Sequence, residues 1–96
     1  MSLGGGGPSS FFDAACEAAH DDGLVVVAAA GNDGVDDCSG APTSEPKTIV
    51  VGATDSSDNF WYNYGECVDI LAPGISIYAA CTPRTRHLVL LGATRL

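Results

Sequence analysis

Asn32 is the residue whose type and setting best suit chemistry. It ends the run Leu24-Val25-Val26-Val27-Ala28-Ala29-Ala30-Gly31-Asn32, in which β-branched residues give way to small ones. Val25, Val26 and Val27 predict a strand buried on both faces, as in a parallel sheet. Ala29, Ala30 and Gly31 leave room for another group to lie against the strand end. Asn32 then carries an amide N–H donor at the carboxyl edge of the sheet, the edge where open α/β folds bind ligands. A neutral donor held rigidly there is what stabilisation of an oxyanion requires. Asn32-Asp33-Gly34 is also good turn chemistry, and from these residues alone a turn former is the better reading.

Other candidate groups are sparse. Cys16, Cys38, Cys67 and Cys81 contain no Cys-x-x-Cys pair, and His20 and His87 stand apart from any ligand-like pattern. That spacing argues against zinc. One disulfide with two free thiols fits the count, and the residues alone do not choose the pair. Gly4 to Gly7 precede a helix-like segment and invite a phosphate-binding reading. No Gly-Lys-Ser/Thr follows, and Asp13 and Glu17 lie close by, so a loose turn is the better reading.

The chain has 96 residues, room for one small domain, and is 46% hydrophobic, enough for a core. Twelve Asp and Glu stand against four Lys and Arg, for a net charge of −8. Nucleic acid and anionic membrane surfaces need clustered cations, so neither is expected as a partner. No apolar run approaches the roughly 18 residues of a membrane span. Met1-Ser2-Leu3-Gly4 has neither a basic nor an apolar leader character, so any export signal would lie outside this chain.

Several elements must position Asn32. Met1-Ser2-Leu3 reads as the end of a strand, followed by a glycine turn that Pro8 stiffens. Ser10 with Asp13 resembles a capping box opening a helix. Phe12, Cys16 and Ala19 then share one face, and Gly23 is a good stop. Further strands are predicted at 24–29, 48–53 and 67–71, the last closed by Ala72-Pro73-Gly74, with a short fourth at 75–78. Strand, glycine turn, helix, strand is the rhythm of a βαβ unit and predicts an α/β fold. A single helix is too little to cover both faces of a parallel sheet. Exposed edges and an open apolar face are therefore expected, with marginal stability for the isolated chain.

Taken in order, these segments resemble the central part of a subtilisin-like serine protease of the proteinase K branch. The resemblance rests on Met1-Ser2-Leu3-Gly4-Gly5, Val27-Ala28-Ala29-Ala30-Gly31-Asn32 and Pro42-Thr43-Ser44-Glu45-Pro46. It continues through Val50-Val51-Gly52-Ala53, Asn63-Tyr64-Gly65, Val68-Asp69-Ile70 and Ala72-Pro73-Gly74. It covers residues 1–79, a partial peptidase domain, and leaves 80–96 as a divergent tail. It implies a partial subtilisin-like parallel sheet of about three to four strands with one clear helix. It also implies proteolysis, a polypeptide substrate and a secreted or extracellular setting. Asn32 matches the family's oxyanion-hole residue. Ser2, Leu3 and Gly4 match the segment that pairs with substrate as an added strand, and Ala29, Ala30 and Gly31 match a wall of the specificity pocket. Pro46, Thr48 and Asp69 match a structural calcium site, with two backbone carbonyls and a carboxylate as hard oxygen ligands. Cys38 and Cys67 fall where some relatives place a disulfide, and Ala41-Pro42 falls where the family has a cis peptide.

The family's nucleophile, base and orienting acid belong to Gly-Thr-Ser-Met-Ala, His-Gly-Thr-His and Asp-Thr/Ser-Gly segments, which this sequence does not contain. His87 and Ser76 sit in no such motif and are not expected to act. The chain alone is therefore expected to lack peptidase activity and to represent an internal piece of an endopeptidase or a truncated gene model. The competing reading is a non-catalytic module that binds extended peptide or calcium.

Overall fold

The computed structural model describes residues 1–2, 7–36, 38–60, 62–79 and 89–91. The elements are α1 (Ser10–Asp21), β1 (Val27–Ala29), β2 (Ile49–Thr54), β3 (Ile70–Pro73), β4 (Ile77–Ala79) and β5 (Val89–Leu91). Leu3 and Gly4, the remainder of the 80–96 tail, and His87 lie outside the described residues.

The helix begins one residue earlier than its acidic first turn suggested. Ser9, not Ser10, is the N-cap, and its hydroxyl accepts from the Phe12 N–H. Its end follows the glycine stop. Gly23 takes φ +88°, its N–H donates to the His20 carbonyl, and the Leu24 N–H donates to the Ala19 carbonyl. Those two bonds make a Schellman cap, which a left-handed glycine completes without steric cost. Three polar contacts fasten the helix to the loop before β2. Ser44 Oγ donates to Asp13 Oδ1 at 3.2 Å, and Lys47 Nζ reaches Glu17 Oε1 at 3.2 Å and Asp21 Oδ1 at 2.9 Å. The Lys47 ammonium, by hydrogen bond and then by charge, holds the Asp21 carboxyl below its ordinary range, and the two acids hold Lys47 above its own.

The sheet is parallel in the order β1-β2-β3, with Val27 beside Ile49 and Val51 beside Ile70. Met1 continues it on the other side of β1. Its amino group donates to the Val27 carbonyl, and its own carbonyl accepts the Ala29 N–H at 3.0 Å. That is a parallel ladder. The chain thus leaves the Met1 edge, passes through α1 and returns as the neighbouring parallel strand, as the βαβ reading predicts.

Two expectations change. Leu24 and Val25 precede the ladder, which begins where the Val26 carbonyl accepts the Ile49 N–H at 2.9 Å, and Leu24, Val25 and Val27 are 63%, 74% and 41% exposed, so the valine run is not buried on both faces. Among the described residues one helix lies beside a sheet that has two faces, and a groove of about 530 Å³ opens between α1 and residues 24–27. The fourth strand also differs, since β4 pairs antiparallel with β5 in a separate two-stranded sheet. Among the described residues the buried apolar set is small: Cys16, Ala28, Ala30, Ala41, Val50 and Ala53, with Pro42. The loop between β1 and β2 contains the cis Ala41-Pro42 peptide. It is joined to the segment before β3 by a disulfide between Cys38 and Cys67, whose Cα atoms are 5.4 Å apart. Cys16 is a free buried thiol.

Candidate functional site

Because Met1, β1, β2 and β3 all run the same way, their carboxyl ends share one edge of the sheet. Ser2 follows the first, Ala30-Gly31-Asn32 follows the second, and Gly74 follows the last. A groove of about 340 Å³ lies against these strands, lined by Ser2, Ala28, Ala29, Gly52, Ala53 and Gly74 among others. Small side chains dominate it, so an extended chain could approach the backbone closely. Two of the expected substrate-binding residues, Ser2 and Ala29, therefore line one groove. Ala30 is buried, with its N–H donating to the Val51 carbonyl at 3.0 Å, while Gly31 and Asn32 are half-buried in the turn beyond it.

That turn is unusually well held. Gly31 takes φ +108°, a conformation that disfavours any side chain. A Cβ there would come within 2.5 Å of Asn63 Nδ2. Asn63 is 4% exposed. Its N–H donates to the Gly31 carbonyl at 3.4 Å, and its Oδ1 accepts from the N–H of Asp33 at 2.8 Å and of Val35 at 3.4 Å. Tyr64 N–H donates to the Val35 carbonyl at 3.1 Å, and the Cys38–Cys67 bridge closes the same pair of loops. Asn63 has no place among the site residues expected from sequence. The signal was present only as the Asn-Tyr-Gly triplet, whose partner loop lies some thirty residues away in the chain.

At the opposite, amino edge, Asp69 and Thr48 immediately precede β3 and β2. Asp69 Oδ2 accepts from the Val50 N–H at 2.7 Å, and the Asp69 N–H donates to the Val50 carbonyl at 2.9 Å. Thr48 is 4% exposed and its Oγ1 is buried without a hydrogen-bond partner. The Thr48 hydroxyl and the Asp69 carboxylate are oxygen donors of the hard kind that calcium takes, and the Pro46 and Thr48 carbonyls would be so too. Among the described residues no three His, Cys, Asp or Glu side chains converge on a metal position, so such a site would depend on the carbonyls.

A family model, that of the subtilase family, matches residues 1–90. The chain belongs to the subtilase family. Over 79 residues, 80% of this subtilase chain, it is 46% identical to the subtilisin-like serine protease pepC of Aspergillus niger and equally to cerevisin of Saccharomyces cerevisiae. It spans 15% and 12% of the lengths of those two proteins. Among solved structures it is similar to a cold-adapted subtilisin-like serine proteinase, at 43% identity and a TM-score of 0.79, over 83% of this chain and 30% of that one. The match extends from the sequence to the partial α/β fold. Among the described residues no helix is long and apolar enough to cross a membrane.

Proposed function

We propose that this chain supplies the oxyanion-binding and substrate-pairing part of a subtilisin-like serine endopeptidase. The observation that carries the reading is the turn at Gly31–Asn32. It leaves β1 at the carboxyl edge, two residues beyond Ala29, which lines a groove of small residues, and its backbone is hydrogen-bonded on both sides. In this reading the Asn32 amide donates to the oxygen of the scissile carbonyl as negative charge builds there. Stabilisation of this kind acts on the transition state more than on the bound ground state. Ser2, with Leu3 and Gly4 after it, pairs the substrate main chain as an added strand. Backbone pairing accepts many sequences, as a general endopeptidase requires. Ala29, Ala30 and Gly31 form a wall of the primary pocket. The nucleophile and its base come from segments other than residues 1–96, so the polypeptide substrate is that of the larger catalytic unit.

Two further roles belong to the same reading. Pro46, Thr48 and Asp69 hold a structural calcium ion, remote from the chemistry because it lies at the other edge of the sheet. The ion contributes charge neutralisation in a chain with a net charge of −8. The setting is extracellular, a reading supported by the Cys38–Cys67 disulfide, which persists in oxidising compartments. A non-catalytic peptide- or calcium-binding module is the alternative.

The test is a chimera in which residues 1–79 replace the matching segment of a fungal relative. The chimera is expected to hydrolyse a peptide anilide. Asn32→Ala in it is expected to lower kcat by about 10²–10³ with KM little changed, the cost known for subtilisin, itself a family member. An unchanged kcat removes Asn32 from the oxyanion role. A fall in KM-dependent binding alone favours the peptide-binding module.

A further inference from the structure

The oxyanion reading explains why an amide sits at position 32 but not what aims it. We propose that Asn63 is the positioning residue for Asn32, an inference that rests on that reading. Two peptide planes flank the Asn32 Cα: one carries the Gly31 carbonyl, the other the Asp33 N–H. Asn63 bonds both, the first through its backbone N–H and the second through Oδ1. Peptide planes are rigid, so fixing both neighbours fixes φ and ψ of Asn32 and leaves only its side-chain torsions to set. The third bond, from the Val35 N–H to the same Oδ1, stops the turn from rolling about the first two.

The rest of the site accounts for the residue type. Position 63 is 4% exposed, so its acceptor competes little with water. A leucine of similar size would take the shared acceptor away from the Asp33 and Val35 N–H groups. Gly31 must be a glycine because Asn63 Nδ2 occupies the place of its Cβ, at 2.5 Å. The amide group of Asn63 thus packs against the residue before Asn32 while its oxygen binds the residue after it. The Cys38–Cys67 bridge and the Tyr64–Val35 bond hold position 63 in turn.

The 96-residue chain, labelled with ¹³C and ¹⁵N, allows a direct test. A scalar coupling across the hydrogen bond, from the Asp33 amide nitrogen to the Asn63 side-chain carbonyl carbon, is expected in the unaltered protein. Its absence overturns the proposal and needs no variant. In Asn63→Leu the Asp33 and Val35 amides are expected to exchange at least about tenfold faster relative to Val51 and Ala53. The two Asn32 side-chain amide proton signals are expected to move to the two separate positions of a free primary amide. Asn63→Asp keeps an acceptor at the same reach and is expected to restore the Asp33 protection. If the Asn32 side-chain signals stay in place while Asp33 loses protection, Asn63 braces the loop without aiming Asn32, and the proposal fails. If Asn63→Leu does not fold, the coupling and Asn63→Asp decide. In the chimera, Asn63→Leu lowers kcat more than it raises KM, and adding it to Asn32→Ala costs less than about twofold more. Should Asn32→Ala leave kcat unchanged while the Asn32 signals still follow Asn63, the oxyanion reading falls and the clamp stands.

Discussion

Removing the Cys38–Cys67 bridge should cost this chain a large share of its stability. The bridge closes a loop with a sequence separation of 29 residues. Loop-closure entropy for that length is about 12 cal/mol/K, or roughly 3.6 kcal/mol at 25 °C. A domain of this size has about 5–14 kcal/mol in total. The bridge therefore accounts for between a quarter and most of the margin, in a chain whose buried apolar residues are mainly alanines. The perturbation is the double variant Cys38→Ser, Cys67→Ser, which avoids introducing unpaired thiols. Urea unfolding, followed by circular dichroism and by tryptophan fluorescence, should show coincident transitions in both proteins. The variant should lose about 3–4 kcal/mol and unfold more than about 12 °C lower. Its m-value should rise, because the unbridged denatured state is less compact. A difference below about 1 kcal/mol with both proteins two-state would refute the entropic argument. It would mean that contacts between residues 31–36 and 63–65 already hold the two loops together in the denatured ensemble.

Three other outcomes follow from named contacts. Gly31→Ala should destabilise the chain by about 2 kcal/mol or more, since it combines a positive φ with a Cβ placed 2.5 Å from Asn63 Nδ2; a variant within 0.5 kcal/mol by urea titration, as is usual for a benign surface change, would show that the turn differs from this one. Calorimetric titration with calcium should give a heat that Asp69→Ala abolishes, and equal heats for the two proteins would remove Asp69 from the ion. The contact between Lys47, Glu17 and Asp21 should respond to acid and salt. The Asp21 pKa lies below its ordinary 3.8 when folded, so its contribution is complete above that ordinary value and disappears as the pH falls through the lowered one. Because these groups are exposed, the effect is small and should vanish in roughly 1 M salt; a melting temperature that differs between unaltered chain and Lys47→Met equally at low and high salt would contradict this.

The sequence and the structure agree best where local chemistry decides. Gly23 ends α1 because only a glycine takes the Schellman position cheaply, and that signal is read from one residue. The parallel pairing of β1, β2 and β3 follows from apolar runs joined by crossovers, and their carboxyl edge places Ser2, Ala29 and Asn32 at one end. The burial of Val25 and Val27 was not legible, because it depends on what covers a face and not on the strand itself. The start of α1 slipped by one residue because Ser9 and Ser10 are equivalent as caps. Asn63 was missed for another reason: its side chain serves the backbone of a loop far away in sequence, and hydrogen bonds of that kind leave no period or spacing. The pairing of Cys38 with Cys67 came from family resemblance, since four cysteines alone leave the choice open.

The central claim is that the Asn32 amide meets developing negative charge, and a bound tetrahedral adduct tests it most directly. The chimera carrying residues 1–79 would be crystallised with a peptidyl trifluoromethyl ketone, whose addition to the nucleophile leaves an oxyanion. Asn32 Nδ2 is expected at about 2.7–3.1 Å from that oxygen, with the Asp33 N–H still bonded to Asn63 Oδ1. An adduct whose oxyanion is satisfied by other donors, with the Asn32 side chain turned away from it, would contradict the account.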